Sequence, residues 1–253
     1  MSDPTWRDSH GRALADFVRP SVAVDTGVLS LDHDLGLVVL EVRRPTEPGW
    51  ALPGTFLHKG ETLADAVDRS LREKANIRGL HPRQLHVFDE PDRDDRGWVL
   101  SVAHVEVVRL DRLASRFAET TRLVPASAPG RPPYDHKSII KRAVDDLRSR
   151  YRTEPDPDRL LGEEFTLRQL RLAHEAVAGK ALQRDAFRRT MWPQLAPTGV
   201  MVTGVRGRPA ELFRRKKAAA SPRRKPRRPQ TADPDGRRRS GGRPGTALGV
   251  PSF

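Results

Sequence analysis

The run PGTFLHKGETLADAVDRSLREKANI, residues 53–77, has the frame of a helix that holds divalent cations. Hydrolysis of a pyrophosphate uses such cations, which polarise phosphoryl oxygens and activate water. A helix holds them by setting carboxylates at i, i+3 and i+4, positions that share one face. At Ser70, Glu73 and Lys74, which have that spacing, only Glu73 is acidic. One carboxylate does not satisfy a hard divalent ion, which takes several oxygen ligands. The ammonium of Lys74 goes further, because its charge repels a cation placed beside it. It could instead neutralise a pyrophosphate directly, together with Arg43 and Arg44. With Gly54 in the preceding loop, these residues form the candidate ligand-binding set Arg43, Arg44, Gly54 and Lys74.

Those side chains need strands, a loop and a helix to position them. SVAVDTGVLS (21–30) and LGLVVLEVRR (35–44) are β-branched runs joined by the turn-forming DHD, which predicts two strands. PTEPGWALPGTF reads as loop. Leu63, Val67, Leu71 and Ala75 then recur at four-residue spacing and predict an amphipathic helix. LHVFDE (85–90) and WVLSVAHVEVV (98–108) read as strands on either side of PDRDDRG, and ASAPGRPPYDH as a further loop. Ile139, Ala143, Leu147 and Tyr151 mark the helix that closes this module. Strands with two separated helices give an α+β arrangement over residues 20–152. Residues 1–19 read as a flexible arm, and TEPDPD (153–158) as a linker.

Residues 159–215 change pattern. Thr166 caps a helix with Leu167, Leu170, Ala173 and Val177 on one face, and Gly179 ends it. A second helix, Arg184 to Trp192, should turn Ala186, Phe187 and Met191 inward until Pro193 stops it. GVMVTGVRGRPAELF then suits a hairpin about VRGRP. Arg184 and Arg188 lie opposite Phe187 and Met191, with Arg189 beside them and Lys180 in the turn. Arg206 and Arg208 flank a glycine at the tip of the possible hairpin.

The chain has 253 residues, a net charge of +13 and a pI near 10.9, but the charge is uneven. From Arg214 onward thirteen Lys/Arg face two Asp/Glu, leaving the remainder at +2. Residues 216–253 lack the apolar side chains of a core and are expected to be a disordered basic tail. Such a tail adds salt-dependent, non-specific affinity for phosphate polymers. There is no cysteine, hence no disulfide framework or thiolate metal site. The eight histidines have no metal-ligand spacing. Trp50 and Trp98 are expected in the core. The longest apolar run, LGLVVL, is too short for a bilayer, and no signal-peptide pattern opens the chain, so a cytoplasmic protein without membrane contact is expected.

The run 55–77 resembles the Nudix box, G-x5-E-x7-R-E-U-x-E-E-x-G-U, in which U is aliphatic. Thr55 takes the first Gly, Glu61 the first Glu and Arg69 the Arg. Ser70, Glu73 and Lys74 take the three acids, and Asn76 the last Gly. The remnant is Glu61, Arg69 and Glu73, with Leu71 and Ile77 in the aliphatic positions. FDEPDRDDRGWVLSVAH and YDHKSII are similar to segments of ADP-ribose-type Nudix proteins. Residues 160–189, followed by RGRPAELFR, resemble the winged helix of Nudix-related transcriptional regulators of NAD metabolism. The resemblance covers about residues 20–215. It implies a Nudix α/β/α sandwich with a mixed sheet, followed by a small winged helix-turn-helix domain. In a helix-turn-helix the second helix enters the major groove, so the resemblance makes Lys180, Arg184, Arg188, Arg189, Arg206 and Arg208 the candidate DNA-binding residues. It also implies a homodimer that binds a double-stranded DNA operator and represses genes of NAD or related cofactor metabolism. ADP-ribose or a similar nucleotide would be its effector, with no catalytic residue, metal or required cofactor. The departures at Thr55 and Asn76 put the loop geometry of the pocket in question. The alternative is an active Nudix hydrolase drawing on Glu61, Asp65, Asp68 and Glu73 with magnesium. A third reading is a general nucleic-acid binder acting through the tail.

Overall fold

A computed structural model of the chain describes residues 6–203 and 209–216. The two β-branched runs form β1 (Ser21–Asp32) and β2 (Gly36–Arg43), paired antiparallel. Asp32 makes the turn, its Oδ1 accepting from the Asp34 and Leu35 N–H groups at 2.9 Å. Both strands are buried on both faces, as strands covered from two sides must be. β3 (Trp50–Ala51) pairs with β2 and β4 (Gly54–Phe56) with β1. β5 (Arg83–Phe88) lies antiparallel to β6 (Val99–Val107), β6 runs parallel to β1, and β7 (Thr121–Pro125) borders β2. The result is a mixed seven-stranded sheet in the order β3-β2-β1-β6-β5, with β4 and β7 paired off that path.

One helix covers each face. α1 (Leu63–Ala75) starts at Thr62, whose hydroxyl accepts from the Asp65 N–H, and ends at Asn76. It packs Ala66, Val67, Leu71 and Ala75 against Val24, Val28, Leu40 and Val42. α2 (His136–Tyr151) packs Ile139, Ile140, Ala143 and Leu147 against Leu29, Val39, Ala103 and Val105 on the other face. Burial of each such aliphatic side chain is worth about 1.5–3 kcal/mol. Alternation along β1 sends Val24 and Val28 toward α1, and Asp25 and Leu29 toward α2. This is the expected α/β/α sandwich.

The second module has β8 (Phe165–Thr166), α3 (Leu167–Ala178), α4 (Arg184–Met191), β9 (Leu195–Val202) and β10 (Ala210–Arg215). Its sheet runs β8-β10-β9, and Phe165, Leu170, Phe187, Met191, Leu195 and Phe213 form its core. Thr166 and Gly179 cap α3 as the sequence indicates; the glycine takes φ 69°. Among the described residues, no helix is long and apolar enough to cross a membrane.

Several local expectations change. β3, β4, β7 and β8 lie in stretches that read as loop or carried no strand assignment, because strands of two to five residues are too short to show alternation. Ala186 is exposed; only Phe187 and Met191 of α4 face the core. Trp98 is exposed and Trp50 lies under the Arg122 guanidinium at 4.5 Å, so neither is a core residue. Within the supposed flexible arm, Asp8 Oδ1 accepts from the His10 and Arg12 N–H groups and ties a local turn. The linker contains a fully buried carboxylate, Asp156, which accepts from Tyr151 Oη at 2.9 Å and Arg215 Nη1 at 2.7 Å. The Leu160 and Leu161 N–H groups also donate to it, so this segment is packed between the modules. Residues 217–253 lie outside the described residues, and with them nearly all of the expected tail.

Candidate functional site

The ends of β1 and β2, β4, α1 and the loops before β6 and α2 enclose a cavity of about 240 Å³. Arg43, Arg44, Gly54 and Lys74 all line it, so the structure brings the four sequence candidates together. Its base is Asp25, the one acid in the apolar run of β1. Ser101 Oγ donates to Asp25 Oδ2 at 2.6 Å, and His136 Nε2 approaches Oδ1 at 3.2 Å. The Leu52 N–H donates to His136 Nδ1 at 3.0 Å, which places the ring proton on Nε2, facing Asp25. The buried Arg93 bonds Asp135 at 2.8 Å and stands 4.0 Å from Asp25. Burial works to raise the Asp25 pKa, but His136, Ser101 and Arg93 together hold it below the usual aspartate value.

Gly54 passes directly over this carboxylate. An added Cβ would stand 2.0 Å from Asp25 Oδ1 and 2.9 Å from the Val24 carbonyl, so no side chain fits. Lys74 Nζ donates to the Gly54 carbonyl. Desolvation lowers the Lys74 pKa, while the charge of Asp25 opposes that shift. On the opposite wall, Arg96 makes two 2.8 Å bonds to Asp94, and its guanidinium lies 4.8 Å from the Tyr134 ring and 5.1 Å from Phe56. Arg44 reaches the Tyr134 hydroxyl at 3.5 Å and pairs with Glu47. Arg43 is exposed at the strand end. Cations, an aromatic edge and a buried acid thus converge on one polar cavity.

The box acids are spent elsewhere. Arg69 bonds Glu61 at 2.7 Å, Thr55 Oγ1 at 3.1 Å and the Phe56 carbonyl at 2.9 Å, clamping the lead-in loop to α1. That clamp holds the Glu61 pKa down at about 2. Asp65 caps the helix at Thr62, and Asp68 pairs with Arg72 at 3.0 Å. Glu73 is exposed, with Arg72 at 3.3 Å. Ser70 is buried on the core side of α1, its hydroxyl without a partner among the described residues. Asn76 takes φ 54°, the left-handed conformation a glycine would adopt, and Thr55 joins the Arg69 clamp.

Asp25, Arg93, Asp94, Arg96, Tyr134 and His136 escaped residue-level assignment. PDRDDRG and YDHKSII flagged their neighbourhoods, and an acid amid a buried strand was the readable signal for Asp25.

In the second module, Glu175 accepts from Arg171 and from the Leu182 N–H, fixing the turn between α3 and α4. Gln183 caps α4 by accepting from the Ala186 N–H. Lys180, Arg184, Arg188 and Arg189 are all exposed, away from Phe187 and Met191. The Arg188 guanidinium stacks 4.6 Å over the half-exposed Trp192 ring, which orients it outward. Arg206 and Arg208 lie outside the described residues.

A Nudix sandwich followed by a helix-turn-helix with a strand hairpin defines a two-module class in which a nucleotide-binding fold carries a winged helix. Family models agree: a NUDIX domain matches residues 22–145, and the NrtR DNA-binding winged helix domain matches residues 158–215. The crystal structure of Shewanella oneidensis NrtR complexed with a 27mer DNA is 31% identical, covering 77% of this chain and 93% of that one, with a TM-score of 0.63. The ADPR responsive transcriptional repressor NtrR of Acinetobacter baylyi is 28% identical over 211 residues, 79% of this chain and 84% of that protein. The ADP-ribose pyrophosphatase of Methanocaldococcus jannaschii is 31% identical over 126 residues, 49% of this chain and 73% of that protein. The chain belongs to the NrtR family of Nudix-related transcriptional regulators.

Proposed function

We propose that this chain is a DNA-binding transcriptional repressor whose Nudix domain binds ADP-ribose, or a nucleotide like it, without cleaving it. The observation that carries the reading is Lys74: it projects into the cavity over Asp25, where the Nudix pattern has an acid. The residues present do not fit a divalent cation. Ser70 is buried, Glu61 is clamped by Arg69, Glu73 faces Arg72, and the ammonium of Lys74 opposes a second cation. A diphosphate is instead held by Lys74 with Arg43 and Arg44, and the adenine or ribose end meets Tyr134, Phe56 and Arg96. Asp65 and Asp68, the acids a hydrolase alternative would need, are committed to the helix cap and to Arg72.

For DNA, α4 enters the major groove with Arg184, Arg188 and Arg189, and Lys180 holds a phosphate. Arg206 and Arg208, outside the described residues, are further candidate DNA contacts. Two copies bind a two-fold operator, and the effector shifts the balance between arrangements of different DNA affinity. The family relation supports this reading, as do the repressor function and DNA complex named for its relatives. The test is genome-wide footprinting with purified protein, with and without ADP-ribose. Discrete protected sites that change with ADP-ribose and vanish in Arg184→Ala support the function. Protection without sequence preference, or rapid release of AMP, contradicts it.

A further inference from the structure

A second cavity, of about 620 Å³, lies between α2 of the Nudix module and the α3–α4 pair, remote from Lys74 and Asp25. Its walls are mostly apolar, with Val177, Phe187 and Met191 on the helix-turn-helix side and Tyr151 on α2. Arg148, Arg152 and Lys180 are its cations. Arg148 Nε bonds the Val177 carbonyl at 3.0 Å, and none of the three has a carboxylate within 4.0 Å among the described residues. The single acid of the lining, Asp145, is bonded to Lys141 at 2.7 Å. An apolar body with unneutralised cations calls for an amphipathic anion.

His174, 3% exposed, sits between the rings of Tyr151 at 4.9 Å and Phe187 at 5.0 Å and continues the aromatic wall of the cavity.

We propose that this cavity is a second ligand site, taking a small aromatic carboxylate. The ring packs against Phe187 and Val177, and the carboxylate meets Arg148, Arg152 and Lys180. Such a ligand touches α2 and the recognition helix together, and it takes Lys180 away from the DNA backbone. Its binding and operator binding then oppose each other through one coupling energy.

The experiment titrates benzoate, its neutral amide benzamide and acetate into the full chain by calorimetry. Saturable binding of benzoate is expected. Benzamide should bind at least about tenfold more weakly from loss of a charge-assisted hydrogen bond, and acetate at least about tenfold more weakly from loss of ring burial. Ala178→Phe, which fills the cavity, should abolish that binding and leave ADP-ribose binding intact; if it fails to fold, Arg152→Glu replaces it. No saturation below a Kd of roughly 1 mM, equal affinity for the three probes, or binding that survives the filled cavity would overturn the proposal.

Discussion

Lys74, Gly54 and Asp25 illustrate how three neighbouring choices make one pocket. The glycine lets β4 cross the carboxylate of β1, and the lysine reaches over the helix edge to the glycine's own carbonyl. Gly54→Ala drives a methyl group into Asp25 and should cost about 1–3 kcal/mol of stability through overpacking, together with loss of effector binding. Chemical denaturation and calorimetry on the same sample check both effects; an alanine variant that retains full affinity contradicts the cavity described. Ser70 permits a second residue-scale prediction. Its hydroxyl is buried without a partner, so Ser70→Ala should be neutral or slightly stabilising. Ser70→Glu places a carboxylate in the core and should destabilise by about 3 kcal/mol or more, which thermal melts will show. A stable Ser70→Glu protein would mean that the box acid can be restored without rebuilding the helix. Of these residues the sequence exposed Lys74 and Ser70, because they break a known spacing. Gly54 was legible as a candidate, but its reason, the distance to Asp25, exists only once two strands pair.

The helices were largely legible because each marks itself locally. Thr62 and Thr166 cap, Asn76 and Gly179 terminate, and apolar residues repeat at helical spacing between them. The short strands had no such marks, and Asp156 looked like turn chemistry because a carboxylate among prolines usually is. Only the return of β10 beside it, bringing Arg215, makes it a buried hub. His174 of α3 is similar: among eight histidines without metal-ligand spacing the sequence did not single it out, and its protonation behaviour follows only from the packed fold. Burial depresses its pKa from 6.5 to about 4, with Asp156 acting in the opposite sense. The unfolded chain therefore takes up a proton first as pH falls. Stability should be complete above pH 6.5 and decline toward pH 4, by up to about 3 kcal/mol at 1.4 kcal/mol per unit. Urea denaturation at pH 7 and pH 5 measures this. His174→Phe, flanked by the same two rings, should flatten the slope, and an unchanged slope would assign it to other groups.

At the scale of the molecule, α2 is one physical link between the two modules, beside Val177 of α3, which joins the Nudix core. Helix α2 is 16 residues long, beginning at His136 beside Asp25 and ending at Tyr151, which is bonded to Asp156. At 1.5 Å per residue that is about 24 Å of continuous helix from effector cavity to DNA module. Arg148 adds a bond from α2 to the end of α3. A shift of His136 on effector binding would reach the α3–α4 pair through this helix, which is the mechanism to test. Reciprocity follows: ADP-ribose must change operator affinity by the factor by which operator DNA changes ADP-ribose affinity. Fluorescence anisotropy with labelled operator and calorimetry with ADP-ribose give the two factors independently, and Tyr151→Phe should diminish both together. Coupling unchanged in Tyr151→Phe, or no coupling in the parent chain, would remove α2 from this role.

Sensing without cleavage rests on the ammonium standing in for a metal, and one titration isolates it. ADP-ribose is added to the protein in EDTA and again in magnesium, for the parent chain and for Lys74→Glu, with AMP quantified afterwards. The expected result is equal affinity in both buffers and no AMP for the parent, with Lys74→Glu at least about tenfold weaker in EDTA. Binding by the parent only in magnesium, with AMP accumulating, would contradict it.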